Sequence, residues 1–295
     1  AVADHPGGSP ANVALGLARL GTEAVLVTAL GDDPAGQLVR AHLESAGVRV
    51  LDASSAAPTS IAHATLCGVG CASYGFDLVW DIVTEDLDVG APTAVHTGSI
   101  GAFMAPGATA VAALVDRLRG TATVTYDPNV RPSLMPDHPE AVAAVERMVA
   151  LADVVKVSDE DLEWLYPGTP ADAVAASWAS TGPAYVVVTR GGDGATLTAA
   201  DGRALSVPAP RITVIDTVGA GDSFMAGLIE GLGREGALGG DRAALDGLTR
   251  LTDVTGESAL ERATVDRLLT DAERAALAFL ATDHRELVAA RNREI

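Results

Sequence analysis

The stretch Asp216-Thr-Val-Gly-Ala-Gly-Asp-Ser-Phe-Met-Ala-Gly-Leu-Ile229 predicts the passage from an apolar strand into a helix. Gly219 and Gly221 stand where that helix begins, so backbone N–H groups there can face a ligand. Free N–H groups and the positive end of the helix dipole favour an anion such as phosphate at this point. Asp222 follows directly, and a carboxylate beside an anion site can take a proton from an attacking hydroxyl. The string Gly-Ala-Gly-Asp by itself is equally typical of a capped helix.

Composition limits the classes of partner. The sequence has 295 residues, enough for one α/β domain with an appendage, and 48% of them are hydrophobic. A net charge of −19 argues against nucleic acid and against anionic membrane surfaces as partners. The two cysteines, Cys67 and Cys71, form no disulfide framework, which is typical of a reducing cytoplasm. We interpret both as small apolar side chains on a hairpin.

The uncharged run from Ala91 to Val115 could be mistaken for a membrane span. Its prolines and glycines instead predict a strand, a loop and a helix. No charged-then-apolar leader is visible at the start of the sequence, so we expect no secretion signal. The six histidines are scattered, and their spacing suggests no metal cluster.

Strands alternate with helices from Ala94 onward, which predicts a mainly parallel sheet covered on both faces. Two alternating segments, 59–66 and 72–80, predict a separate small sheet from about 58 to 80. We find no repeat and expect a single domain over 1–295. The predicted strands are 24–30, 48–51, 94–97, 121–126, 153–157 and 184–189, and the hairpin is 195–207. The predicted helices are 11–20, one ending at 46, 107–119, 139–151, 159–165, 170–180 and 220–233.

Ligands of such sheets gather beyond the carboxyl ends of the strands. Polar residues cluster at each of these ends in the sequence. The segments are His96-Thr-Gly-Ser99, Asp127-Pro-Asn-Val-Arg131, Lys156-Val-Ser-Asp-Glu-Asp161, Thr189-Arg-Gly-Gly-Asp-Gly194 and the opening stretch. A shared cleft would produce this coincidence, although polar loops after strands are also common.

The opening stretch closely resembles the C-terminal signature of the ribokinase-like (PfkB) sugar kinases, in which Asp-Thr-x-Gly-Ala-Gly-Asp-x-Phe recurs. The resemblance implies a ribokinase-like three-layer α/β/α fold with a mainly parallel central sheet and a small β-sheet lid. It implies that Gly219, Ala220 and Gly221 form an anion hole and that Asp222 is the catalytic base. It also implies that Asp216 and Thr217 lie beside the nucleotide, near a site for a monovalent cation such as K⁺.

The run Gly7-Gly-Ser-Pro-Ala-Asn12 begins a helix. Its two glycines let a sugar approach the backbone, and Asn12 offers both a donor and an acceptor. A turn with a helix cap would explain the same residues. The run from Gly7 to Gly21 resembles the family's first signature, which implies that Gly7, Gly8 and Asn12 bind the sugar. In the family an apolar strand carrying a substrate-binding Asp precedes this motif, and that strand is absent from the sequence between Ala1 and Gly7.

Three further loops carry candidate residues. Arg131 could bind phosphate or a sugar acid bidentately, or it could be a solvated side chain in a turn set by two prolines. The glycine turn after Thr189 by itself predicts only a hairpin. By resemblance, Thr189, Gly191 and Gly194 bind the nucleotide phosphates. Asp161 occupies the place of the glutamate that organises Mg²⁺ in the family, and carboxylate oxygen suits this ion.

The resemblance implies an ATP- and Mg²⁺-dependent kinase, most similar to bacterial fructokinases, that phosphorylates a primary hydroxyl of a sugar, with fructose as first choice. Two alternatives stay open: a family kinase for 2-keto-3-deoxygluconate, ribose or a nucleoside, and a non-catalytic sugar- or nucleotide-binding relative. The tail after residue 235 departs from the family pattern, so nucleotide preference is open. The aromatic residues Tyr74, Phe76 and Trp80 could pack on the sugar, on their own domain, or on a second subunit in a homodimer through the lid.

Overall fold

A computed structural model describes residues 4–67, 71–209, 219–250, 267–272 and 274 of the chain. The helices are α1 (Ser9–Arg19), α2 (Pro34–Ser45), α3 (Gly107–Leu118), α4 (His138–Leu151), α5 (Asp159–Leu165), α6 (Ala171–Ala179), α7 (Ala220–Arg234) and α8 (Arg242–Arg250). The strands are β1 (Val25–Thr28), β2 (Arg49–Asp52), β3 (Ile61–Cys67), β4 (Cys71–Asp77), β5 (Ala94–Gly98), β6 (Thr123–Asp127), β7 (Val154–Ser158), β8 (Tyr185–Thr189), β9 (Ala195–Ala199) and β10 (Ala204–Val207).

The central sheet has six strands in the order β10-β9-β8-β7-β6-β5. Strands β5 to β8 are parallel because a helical crossover connects each to the next. Strands β9 and β10 are antiparallel because short turns reverse the chain before each of them. The prediction of a mainly parallel α/β sheet is therefore confirmed.

Helices cover both faces of this sheet, because successive side chains of a strand point to opposite sides. Val186 and Val188 of β8 pack in a cluster with residues of α4, α5 and α6. Tyr185 and Val187 of the same strand pack in a second cluster with residues of α7. Helix α1 lies against α7 so closely that a Cβ atom on Gly16 would come 2.7 Å from the Cβ of Ala226. The result is the three-layer arrangement that the resemblance implies.

Strands β1 and β2 lie outside the six-stranded sheet. They form a parallel pair of their own and, in the described residues, make no backbone ladder with the six-stranded sheet. Helix α1 contacts both β1 and β5, and it buries Ala14 and Leu15 in a cluster with Leu26 of β1 and Leu43 of α2. Side-chain packing on α1, instead of backbone hydrogen bonding, joins this pair to the rest.

The small separate sheet predicted near 58–80 is the antiparallel hairpin β3–β4, in which Ile61 pairs with Asp77. Trp80 lies beyond the hairpin. Its Nε1 donates a hydrogen bond to the carbonyl of Gly101 at 3.1 Å, and a Cβ atom on Gly107 would come 2.5 Å from its ring. Trp80 therefore packs on its own domain.

The uncharged run from Ala91 to Val115 is divided, as predicted, into β5, a short 3₁₀ turn at Ser99–Ala102 and most of α3. In the described parts of the chain, every helix is too short or too polar to span a bilayer.

Candidate active site

The start of α7 has the local geometry that the Gly-Ala-Gly-Asp string predicts. Gly219 precedes the helix with a φ of 78°, a left-handed conformation that favours glycine over residues with a side chain. Its carbonyl accepts hydrogen bonds from both the N–H and the hydroxyl of Ser223, at 2.9 Å each. Asp222 lies in the first turn and is 7% exposed. A nearly buried carboxylate thus stands at the positive end of the helix.

Both carboxylate oxygens of Asp222 are bonded to residues of α1. The hydroxyl of Ser9 donates to Oδ1 at 2.7 Å, and the side-chain amide of Asn12 donates to Oδ2 at 2.8 Å. The carboxylate therefore points across to α1 instead of capping its own helix. Burial raises the pKa of Asp222, and the hydrogen bonds from Asn12 and Ser9 oppose that rise.

A buried ion pair lies next to this helix start. Nζ of Lys156 in β7 donates to Oδ2 of Asp127 at the end of β6, at 2.9 Å, and the side chains are 5% and 1% exposed. A Cβ atom on Gly221 would come 2.7 Å from that Nζ, so the ammonium lies against the residue before Asp222. Burial lowers the pKa of Lys156, but the charge of Asp127 and its hydrogen bond outweigh burial and raise it.

Asp161 connects the loop that follows β6 with the end of β7. Its Oδ1 accepts the N–H of Val130 at 3.0 Å, and its own N–H donates to the hydroxyl of Ser158 at 3.0 Å. Burial raises the pKa of Asp161 to about 6, and the charge of Asp127 adds to that rise. Asp161 therefore lies beside Asp127, with one carboxylate oxygen already used by the loop.

The donor set can be compared with the needs of Mg²⁺. In the described residues, no three or more His, Cys, Asp or Glu side chains are grouped so that they could hold a metal ion. Mg²⁺ bound with a nucleotide takes most of its ligands from phosphate and water, with one or two carboxylates from the protein. The remaining oxygen of Asp161 fits an ion of that kind, and its role as a ligand stays a prediction.

The predicted nucleotide loop follows β8. Thr189 pairs with Ser158 across the sheet, and its hydroxyl donates to the carbonyl of Val157 at 3.5 Å. Gly194 has a φ of 96°, and a Cβ atom there would overlap with the carbonyl of Val207, so the hairpin itself requires this glycine. Gly191 also has a positive φ, of 50°, but a Cβ atom there would meet no atom within 4 Å. Asp216 and Thr217 lie outside the described residues.

The two predicted sugar-binding glycines differ in whether the backbone requires glycine. Gly8 precedes α1 with a φ of 113°, so the backbone itself requires glycine. Gly7 has no such requirement, and a Cβ atom there would stand in open space. Arg131 is exposed, and its guanidinium donates to the carbonyls of Asn129 and Val130 in its own loop. The structure thus brings Asn12 to Asp222, while the described contacts of Arg131 are local.

Ser9, Lys156 and His96 also lie close to Asp222, and although their segments stand out in the sequence, no role for these three residues follows from it. Nδ1 of His96 lies 3.1 Å from the hydroxyl of Thr125, and its buried Nε2 has no hydrogen-bond partner in the described structure. Burial lowers the pKa of His96 to about 4, so its ring is neutral at physiological pH. A usable signal was present: polar residues at alternate positions of otherwise apolar, buried strands, as in Thr123-Val-Thr-Tyr-Asp127.

Comparisons with known proteins agree with this architecture. A family model described as "pfkB family carbohydrate kinase" matches residues 1–242. A fructokinase of Rhizobium leguminosarum bv. trifolii is 38% identical over 240 residues, which cover 78% of this chain and 72% of that protein.

Solved structures give the same result. The fructokinase of Xylella fastidiosa with bound ATP superposes with a TM-score of 0.75 and is 26% identical, over 93% of this chain and 84% of that one. A fructokinase of Vibrio cholerae O395, in a form with fructose, ADP and calcium ion bound, gives a TM-score of 0.71 and 27% identity, over 94% and 86%. With its α/β fold, its matched signatures and these relatives, the chain belongs to the pfkB family of carbohydrate kinases.

Proposed function

We propose that this kinase transfers the γ-phosphoryl group of ATP to a primary hydroxyl of fructose, with Asp222 as the general base. The observation that carries the proposal is the nearly buried carboxylate of Asp222 at the start of α7, held by Ser9 and Asn12. The choice of fructose is supported by the relatives that are named fructokinases.

The position of Asp222 suits a base. Each carboxylate oxygen has two lone-pair sites, so the bonds from Ser9 and Asn12 leave room for a sugar hydroxyl. The hydroxyl proton passes to Asp222, the sugar oxygen bonds to the γ-phosphorus, and the bond to the bridging oxygen of ADP breaks. Burial raises the pKa of Asp222. As the pH is lowered, the rate should therefore begin to fall at a higher pH than it would with an exposed aspartate as the base.

The backbone at the start of α7 supplies the stabilising charge. Gly219, Ala220 and Gly221 precede or open the helix, where N–H groups lack partners within the helix. Such preorganised donors stabilise charge that develops on a transferring phosphoryl group. Mg²⁺, when bound with ATP, would neutralise further negative charge on the phosphates. Asp161 is the predicted protein ligand of this ion.

The two substrates are assigned to the two open glycine positions. Gly7 leaves space beside Asn12 for the sugar, and Gly191 leaves space beside Thr189 for the nucleotide phosphates. Gly7 has no positive φ and its Cβ position is open, which favours a ligand as the reason for this glycine, whereas the φ of 50° at Gly191 by itself already favours glycine. Arg131 as a further sugar contact and K⁺ near Asp216 stay predictions from the family resemblance.

A panel of acceptors tests the substrate. Purified protein is incubated with Mg²⁺–ATP and, in turn, fructose, glucose, ribose, 2-keto-3-deoxygluconate and a purine nucleoside, and ADP release is measured. We expect the highest kcat/KM with fructose. Turnover of another acceptor without fructose would move the proposal to that substrate. No turnover of any acceptor, combined with measurable sugar or nucleotide binding, would instead support a non-catalytic relative.

The hairpin β3–β4 is proposed to act as a lid over the sugar and to join two subunits of a homodimer. Two observations support this assignment: the hairpin forms a two-stranded sheet of its own, and residues 61–63 near its base are exposed. Sedimentation velocity of the wild type at several concentrations tests it, beside a variant in which a short glycine-serine linker replaces residues 61–77. We expect a concentration-dependent dimer for the wild type alone, and a dimer that persists in the variant would exclude this interface.

A further inference from the structure

Lys156 stands out in the composition of the chain. It is the only lysine in the sequence, and the other 19 of the 20 basic residues are arginines. It occupies the middle of β7 between valines, on the side of the sheet that faces α7. Lysine carries a compact charge on a flexible stem, whereas arginine needs room for a planar fork of donors. A buried, confined position that needs a positive charge would explain why lysine occurs here alone.

The hydrogen bonding of this ammonium is incomplete. An ammonium group has three N–H donors. In the described residues one hydrogen bond from Nζ is found, to Oδ2 of Asp127 at 2.9 Å. The group lies against Gly221, since a Cβ atom there would come within 2.7 Å of it. Two donors of a nearly buried cation therefore remain for another acceptor at the start of α7.

The charges around Lys156 are unbalanced. The carboxylates of Asp127, Asp222 and Asp161 all act electrostatically on Lys156. Three carboxylates against one ammonium leave a surplus of negative charge, which would repel an incoming phosphoryl group. Among the described residues of this cluster, Lys156 carries the positive charge, so it is the protein group able to offset that repulsion.

We propose that Lys156 binds the γ-phosphoryl group during its transfer, and that Asp127 is a positioning residue that holds the ammonium against Gly221. The inference rests on the proposed function and adds a residue to it. Lys156 stays protonated throughout, because the hydroxyl proton of the sugar goes to Asp222. The bond between the sugar oxygen and the γ-phosphorus forms, the bond to the bridging oxygen breaks, and ADP leaves with the electron pair. The ammonium stabilises charge on the phosphoryl oxygens between these events.

A purely structural ion pair is the alternative. Removing one partner of a buried pair leaves the other charge unpaired and destabilises the fold, whereas replacing both partners is often neutral. A structural role therefore predicts that neutralising both residues restores the activity together with the stability. A phosphoryl-binding role predicts that the activity stays low although the stability returns.

The test compares the wild type with Lys156→Met, Asp127→Asn and the double variant that carries both changes. The decisive quantity is the loss of kcat when Lys156 is replaced in the Asp127→Asn background, where its hydrogen-bonded partner is no longer a carboxylate that could be left unpaired. We expect a loss of about 100-fold or more, with the dissociation constant for the sugar changed less than about threefold by calorimetry. As a matched control, Arg119→Met removes an exposed charge paired with Asp116 and should leave kcat unchanged.

A loss of kcat below about threefold in the Asp127→Asn background, with all proteins folded by circular dichroism, would overturn the proposal. Failure of Lys156→Met alone to fold does not weaken the test, because the double variant carries the comparison. The proposed function fails separately, in the wild type, when fructose is not phosphorylated. The acceptor that is then turned over in the panel serves as the substrate for the same four proteins.

Discussion

Two faces of the same strands, β6 and β7, are equally buried and very different in chemistry. The face toward α3 to α6 carries four apolar side chains that are at most 1% exposed: Val124, Tyr126, Val155 and Val157. The other face carries four polar side chains that are at most 4% exposed, beside the apolar Val154 of β7: Thr123, Thr125, Asp127 and Lys156. Burying polar groups is costly unless they are paired, and apolar packing would be the more stable choice. The comparison indicates that one face serves stability and the other serves chemistry.

The largest effect is expected on the polar face, from Asp222→Asn. The amide keeps the shape of the side chain but cannot accept the hydroxyl proton, so kcat should fall by about 10²–10⁴-fold. The melting temperature should stay the same or rise, because a buried charge is removed. Coupled measurement of ADP release and a thermal melt check both parts. A variant that retains kcat within about tenfold would exclude Asp222 as the base.

A loss of stability without a loss of activity is expected from Met148→Ala in α4, which packs on the apolar face. Met148 is buried in the cluster beneath this face, and truncation should lower the free energy of unfolding by about 2–5 kcal/mol. At a temperature where the variant is folded, kcat should match the wild type. Urea unfolding and steady-state kinetics on one preparation separate the two quantities. A large loss of kcat in fully folded protein would break the division between the faces.

A smaller effect is expected from Asn12→Ala, which removes one of the two side chains that hold Asp222. Hydrogen bonds to charged groups contribute about 1.5–3 kcal/mol, so kcat/KM for the sugar should fall by about ten- to hundredfold. Ser9→Ala removes the bond to the other oxygen and is the matched comparison. If only the KM for ATP changed in either variant, these residues would not belong to the sugar side.

The buried carboxylate of Asp161, beside Asp127, should lower the free energy of unfolding by an amount that depends on pH. The variant Asp161→Asn measures this effect. The pKa of Asp161 rises from 3.8 to about 6 on folding, so the folded state binds the proton more tightly and stability falls as pH rises through that window. After a discount for partial solvent screening, the variant should gain about 1–2 kcal/mol relative to the wild type between about pH 4 and pH 8. Urea unfolding in buffers with a chelator is the measurement. A constant difference across this range would contradict the raised pKa.

The smallest effect is expected from Gly191→Ala, at an open position in the predicted nucleotide loop. An alanine at its φ of 50° should cost about 1–2 kcal/mol of stability and raise the KM for ATP a few-fold. Gly202→Ala is the control, because its φ is 85° and its Cβ position is also open, but it lies in the turn between β9 and β10. Equal KM values for ATP in the two variants would remove Gly191 from the nucleotide site.

Much of the fold follows from local patterns. The order of strands and helices from β5 to α7 was predictable because apolar periodicity and glycine or proline breaks are properties of short segments. The start of α7 was predictable for the same reason, since two glycines before Asp222 specify a helix terminus. The separate pairing of β1 with β2 was not predictable, because which strands share a ladder depends on distant segments.

The sequence by itself determined the family signatures, the alternation of elements and the position of Asp222 at a helix start. Only the tertiary structure decided what surrounds that carboxylate: Ser9 and Asn12 from more than 200 residues away, and the ion pair of Lys156 with Asp127 from two neighbouring strands. The physical reason is that helix and strand signals are written within a few residues of one another. Hydrogen bonds and ion pairs between elements depend on how the layers pack. The role of a lysine between two valines can therefore be inferred only when its neighbours in space are known.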